Sequence, residues 1–93
     1  MSQHTVHTKK LLTSYRKAKS LLDTVERMVM EDKYCIDIMQ QNLAVMGLLR
    51  SAHRMLMENH LHHCFRSAME TGNDKKKRAM IDEMLKVSSF SEK

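Results

Sequence analysis

The residues with the clearest chemical potential are a histidine and a cysteine four positions apart, His60 and Cys64. On a helix this spacing places the two side chains one turn apart on the same face, where they suit two ligands of one metal ion. The pair alone is a weak signal, because a polar histidine beside a buried free cysteine accounts for it about as well. A further ligand elsewhere in the chain is needed to favour a metal site.

Cys35 is the other cysteine of the chain. If residues 33–66 form one helix, Cys35 lies roughly 37 Å from His60 in the same protomer, too far to share an ion. Two copies of this helix packed antiparallel, crossing near residues 48 and 49, would bring Cys35 of one chain between His60 and Cys64 of the other. The spacing therefore predicts a dimer in which the site forms twice.

Two thiolates and one imidazole make a soft ligand set of low coordination number. Such a set favours Cu(I), because a hard cation would need oxygen ligands and zinc would usually need a fourth ligand. We therefore expect one Cu(I) per protomer, bridging two protomers. His62 and His63 point to other helix faces and are expected to face solvent or to play an accessory role. Of the two, His63 is the candidate accessory ligand. His53, near the crossing, is interpreted as an interface residue.

The ten methionines of the chain offer thioether sulfurs, which are also soft donors. Their spacing, such as that of Met80 and Met84, is however typical of residues that pack in a helical core. We interpret them as packing residues.

The elements that must position these ligands are helices. The 93 residues include no proline and only two glycines, and residues with high helix propensity fill much of the chain. Apolar residues at helical spacing predict helix one at about 5–30, helix two at about 33–70 and helix three at about 74–88. The fold class is all-α, one domain over 1–93, with a long, a very long and a short helix forming an antiparallel four-helix-bundle dimer.

Four residues are expected to mark the helix ends. Asp32 is predicted to be the N-cap of helix two, and Asn73 with Asp74 is predicted to cap helix three. Gly72 falls where helix two needs a C-terminal glycine. Gly47, inside helix two, is interpreted as a point of close helix crossing rather than a break.

Composition restricts the partners. The net charge of +5 and the isoelectric point near 9.4 suit a polyanion such as DNA without selecting it. A domain this small buries little surface alone, so self-association is expected. The chain contains no apolar run approaching the ~20 residues of a membrane span, and its N-terminus lacks the apolar core of a signal peptide. We expect a cytoplasmic protein without a membrane partner.

The sequence offers little for catalysis. It contains no glycine-rich phosphate loop, no nucleophile elbow and no paired carboxylates, so neither an enzyme nor a small-molecule substrate is expected. In a reducing compartment the two cysteines are expected to be metal ligands or redox-active thiols rather than a structural disulfide.

Three segments resemble the core of the CsoR/RcnR family of metal-responsive repressors, over about residues 5–88. The resemblance implies three helices per protomer, a dimer, pairing of dimers into a tetramer, and release of operator DNA when the inducer binds. The segments are Glu31-Asp32-Lys33-Tyr34-Cys35-Ile36-Asp37-Ile38-Met39, Ala44-Val45 and Asn59-His60-Leu61-His62-His63-Cys64-Phe65.

Within this family the chain is closest to the copper(I) sensors, whose ligands match Cys35, His60 and Cys64. The resemblance further implies an outer-shell tyrosine at Tyr34 and, after a short insertion following Gly72, an outer-shell glutamate at Glu83. Persulfide-sensing members lack the middle histidine, and formaldehyde-sensing members lack the second cysteine.

Nickel and cobalt members replace the second cysteine by histidine and add an N-terminal histidine. The cysteine at position 64 argues against these metals. His4 and His7 lie near the N-terminal position, and they leave a four-coordinate site open as accessory ligands.

The resemblance implies operator DNA as a partner, with two departures. Arginines expected from the family are replaced by Ser14 and Ser51. A basic face for phosphates could still form, although an ordinary solvated surface is the commoner origin of such charges. A copper-binding or buffering protein without DNA binding, and a thiol-reactive sensor, therefore remain alternatives to a repressor. The candidate DNA-binding residues are Lys9, Lys10, Arg16, Lys17, Lys19, Arg50 and Arg54.

Overall fold

The fold is all-α, as predicted. A computed structural model describes residues 6–88, without the side chains of residues 6, 7, 64 and 65, and no strand occurs in that range. None of its helices is long and apolar enough to cross a membrane. The elements are α1 (Val6–Met30), α2 (Cys35–Asn59), a π-helical segment (His60–Phe65), α3 (Arg66–Met69) and α4 (Asp74–Ser88).

The chain divides into two compact units, Met1–Leu56 and Met57–Lys93. In the first unit the buried side chains are small or β-branched: Ala18 on α1, and Val45 and Ala52 on α2. Val45 and Ala52 are seven residues apart, so they share one face of α2. Small residues on both helices permit close packing, which gives this unit a narrow apolar core.

A second apolar stripe on α2 stays exposed. It consists of Ile36, Met39, Leu43 and Met46, whose spacing of three, four and three residues keeps them on one face. Leu43 is 65% exposed to solvent. An exposed apolar stripe of this kind is typical of a helix face that packs against a further neighbour.

The turn after α1 differs from the prediction. Asp32 adopts a left-handed conformation, with a φ of 60°. Its N–H donates to the carbonyl of Val29 at 3.1 Å, and the N–H of Lys33 donates to the carbonyl of Met28 at 2.9 Å. These are the two hydrogen bonds of a Schellman motif, so Asp32 ends α1. The prediction of Asp32 as the N-cap of the next helix was wrong, and α2 begins at Cys35.

The turn between α3 and α4 agrees with the prediction. Gly72 has a φ of 79°, a conformation that glycine adopts without steric cost. The side-chain oxygen of Asn73 accepts the N–H groups of Lys75 and Lys76 at 3.0 and 3.2 Å, which is the N-cap arrangement for α4. The hydroxyl of Thr71 accepts the N–H of Asn73 at 3.1 Å. Together these contacts fix where α4 starts.

Replacing Asn73 by alanine removes the acceptor for both N–H groups. We expect the Asn73→Ala variant to lose about 1 kcal/mol of unfolding free energy. Urea denaturation at one fixed protomer concentration measures this loss, because the stability of an oligomer depends on concentration. Asn73→Asp keeps a side-chain acceptor and serves as the control. An equal loss in both variants would contradict the capping role.

Candidate metal centre

Cys35 occupies the first position of α2, and its thiol is free and exposed. The carbonyl of Tyr34 accepts the N–H of Ile38 at 3.2 Å, which marks the start of the helix. The side chain of Tyr34 is also exposed. The positive end of the helix dipole lies at this terminus, so the location suits the negative charge of a metal-bound thiolate.

The other two predicted ligands lie in the π-helical segment His60–Phe65. Helix two was predicted to continue to about residue 70. The chain does stay helical to Met69, but α2 ends at Asn59, the π-helical segment follows it, and α3 begins at Arg66. A π turn contains somewhat more than four residues, so positions 60 and 64 still share a face. Such turns are rare and frequently occur at functional sites. The segment contains neither glycine nor proline, so its sequence does not indicate the change from α-helix to π-helix.

His60 is half-buried, while His62 and His63 are exposed. His60 makes one polar contact outside the segment. Its Nε2 lies 3.1 Å from the Sδ atom of Met80 on α4. Both residues belong to the second compact unit. Met80 was predicted to be a core-packing residue, and this polar contact was not foreseen. The four-residue spacing of Met80 and Met84 is equally typical of core packing, so the sequence did not indicate the contact between Met80 and His60.

Glu83, the predicted outer-shell carboxylate, lies one turn beyond Met80 on α4 and is exposed. Within the described part of the chain, the polar neighbour of the His60 Nε2 atom is Met80 rather than Glu83. The role of Glu83 in the metal site stays a prediction. Met80 and Glu83 line one groove in this unit, together with Ser67, Ala68, Thr71, Lys76 and Ala79.

The donor chemistry fits Cu(I). A free thiol and an imidazole next to a thioether are soft or borderline donors, the types that Cu(I) prefers. Among the side chains that the structure describes, no three histidine, cysteine or acidic groups converge on one point. The side chain of Cys64 is not among them, so the meeting of Cys35, His60 and Cys64 stays a prediction. His4 and the side chain of His7 also lie outside the described residues.

The seven predicted DNA-binding cations are all exposed. The ion pairs between described residues join Lys33 to Glu31 at 3.9 Å and Arg66 to Glu70 at 3.8 Å, so neither involves the seven. Ser51 is exposed and Ser14 is half-buried. The seven residues are Lys9, Lys10, Arg16, Lys17 and Lys19 on α1, and Arg50 and Arg54 on α2.

This small helical chain combines features of a metal-binding protein and a DNA-binding protein. It has a free thiol at a helix start, an imidazole beside a thioether, and exposed surface cations. Residues 7–89 match the family described as metal-sensitive transcriptional repressor. The chain belongs to that family, which confirms the resemblance drawn from the sequence.

Relatives within the family carry the name of copper-sensing transcriptional repressors. CsoR of Mycobacterium ulcerans (strain Agy99) is 36% identical over 80 residues, covering 86% of this chain and 66% of the relative. CsoR of Bacillus subtilis (strain 168) is 35% identical over 63 residues, covering 68% and 59%. RicR of Mycobacterium tuberculosis (strain H37Rv) is 40% identical over 57 residues, covering 61% and 59%. The chain thus spans just under two thirds of the length of the Mycobacterium ulcerans relative.

Proposed function

We propose that this protein is a Cu(I)-responsive transcriptional repressor that binds operator DNA in its metal-free form and releases it on copper binding. The observation that carries the proposal is the placement of soft donors in a chain similar to copper-sensing repressors. Cys35 is free and exposed at a helix start, and the half-buried His60 lies beside a thioether. A nickel or cobalt sensor would more naturally present harder donors at these positions.

The proposed site forms between protomers. The exposed stripe Ile36, Met39, Leu43 and Met46 begins directly after Cys35, so covering it with a second copy of α2 would bring that copy next to the thiol. A Cβ atom placed at Gly47 would meet no atom of its own protomer within 4 Å, so this position is open to the approach of a second chain. We propose an antiparallel dimer of this kind, with pairing of dimers into a tetramer.

Cys35 of one protomer and His60 and Cys64 of its partner would hold the metal. Bound Cu(I) supplies a link between two chains that are otherwise joined by side-chain packing. The thiolates provide charge and soft donor atoms, and the imidazole provides a neutral third ligand. The cations of α1 and α2 neutralise DNA phosphates in the metal-free state. Regulation requires two different arrangements of the protomers. One of them binds the metal best, and the other binds DNA best.

The direct test is an anaerobic titration of the reduced protein with Cu(I) against a competing chelator, with DNA from its own upstream region followed in the same buffer. One tight Cu(I) per protomer with release of DNA is the expected result. Tight Cu(I) without DNA binding would identify a copper-buffering scaffold instead. A covalent link between chains after treatment with a sulfur donor, with copper having no effect on DNA, would identify a thiol sensor.

Ser51 offers a gain-of-function prediction for the DNA-binding surface. Position 51 is exposed on α2 next to Arg50, so Ser51→Arg adds one cation per protomer without displacing packed atoms. We expect tighter DNA binding and a salt dependence of log K that steepens by about 0.9 for each additional phosphate that the protein neutralises. Fluorescence anisotropy over a salt series measures both quantities. Ser51→Ala is the control, and an unchanged slope in Ser51→Arg would exclude this face from the DNA interface.

A further inference from the structure

The contact between His60 and Met80 favours one tautomer of the imidazole. A neutral imidazole has one N–H donor and one acceptor nitrogen, and a thioether sulfur can only accept. The 3.1 Å separation of Nε2 and Sδ is within hydrogen-bonding distance. The contact is therefore favourable when Nε2 is protonated, which leaves the lone pair of Nδ1 free.

We propose that Met80 is a positioning residue of the metal site, whose thioether accepts the Nε2–H of His60 and so presents Nδ1 to the metal. The proposal rests on the proposed function, because it assigns Met80 a role in the same copper site. Histidine ligands commonly donate their second N–H to a neighbouring group, which fixes the ring and its tautomer. Here that group is a neutral sulfur.

The geometry favours this role over direct ligation by Met80. Nitrogen and sulfur ligands with bond lengths of about 2.0 and 2.3 Å stand roughly 3.5 Å apart at a tetrahedral angle, and farther apart at a trigonal one. The observed 3.1 Å between Nε2 and Sδ is shorter than either. The separation fits a hydrogen bond between the two groups.

The fold supports this placement. The Asn73 cap sets the first residue of α4, and this start fixes the helix face on which Met80 lies. Met80 is half-buried there, beside His60. Glu83, one turn further, is exposed. A thioether is a weak acceptor, and it raises the basicity of a histidine ligand less than a carboxylate would. Met80 therefore fixes the ring, while it raises copper affinity less than a carboxylate in its place would.

The tautomer can be measured without copper. Long-range proton–nitrogen correlation spectra of the full, metal-free chain with labelled histidine report which nitrogen of His60 is protonated. We expect Nε2–H in the natural protein and a mixture of tautomers in Met80→Leu, which keeps the apolar volume and removes the acceptor. Met84→Leu, one turn along α4 and also half-buried, is the matched control and should leave the spectrum unchanged. Nδ1–H in the natural protein would overturn the proposal.

Copper measurements complete the test. We expect Met80→Leu to lower Cu(I) affinity about tenfold, the lower end for an outer-shell partner, and Met80→Glu to raise it. X-ray absorption should give the same number of sulfur ligands in the natural protein and in Met80→Leu. Loss of one sulfur ligand would make Met80 a direct ligand and overturn the proposal. Absence of Cu(I) binding to the natural protein would instead refute the proposed function, while the tautomer result would stand.

Discussion

Mixing a Cys35→Ala protomer with a His60→Ala/Cys64→Ala protomer should restore tight Cu(I) binding that neither variant has alone. In a mixed dimer one site combines the intact Cys35 of one chain with the intact His60 and Cys64 of the other. The second site of that dimer lacks all three ligands. With random pairing at equal amounts, half of the dimers are mixed, so about one Cu(I) binds for every four protomers.

The expected effect on each separate variant is large. Loss of a direct ligand should lower Cu(I) affinity by more than about a hundredfold, beyond the range typical of outer-shell partners. Competition with a Cu(I) chelator, after the variants are unfolded and refolded together, measures both the loss and its recovery. His62→Ala is a suitable control, because His62 is exposed and only two residues from His60. Full affinity of Cys35→Ala alone, or no recovery in the mixture, would contradict a site shared between protomers.

Local rules made the helices and one of the turns predictable. The capping by Asn73 and the positive φ of Gly72 follow from residue type alone, since an asparagine oxygen satisfies free N–H groups and glycine lacks a Cβ atom. Asp32 shows the limit of the same rules. Aspartate can cap a helix start, and it also tolerates the left-handed conformation that ends a helix. Only the hydrogen bonds of the folded chain distinguish these roles.

The surroundings of His60 could not be predicted in the same way. Met80 and Glu83 are three residues apart, so the helical pattern places both on one face of α4. Which of them meets the imidazole depends on the π-helical segment and on how α4 packs within its unit, and these are set by tertiary contacts. Cys35, His60 and Cys64 could be proposed as ligands from the spacing of their residue types. The neighbour that orients His60 could not.

Copper should weaken DNA binding, and DNA should weaken copper binding by the same factor. Typical coupling free energies of about 1–3 kcal/mol correspond to roughly 5–150-fold changes in affinity. The equality follows from thermodynamic linkage and holds whatever structural change transmits it. Measuring Cu(I) affinity with and without saturating operator DNA, and DNA affinity with and without Cu(I), gives two independent estimates. Equal copper affinity with and without operator DNA would exclude a copper-controlled repressor.

Variants of the basic residues on α1 should affect DNA binding without affecting copper binding. Replacing Arg16, Lys17 and Lys19 by glutamine should reduce the salt dependence of log K by about 0.9 for each phosphate that is no longer neutralised, and weaken DNA binding accordingly. Copper affinity without DNA should stay unchanged, because these residues are exposed on α1 and outside the proposed ligand set. Replacing Lys75, Arg78 and Lys86 by glutamine, three exposed cations on α4, controls for the same loss of net charge. If the triple variant lost copper affinity as well, α1 would belong to the metal site or its support, and the proposed division between a DNA-binding face and a copper-binding interface would be wrong.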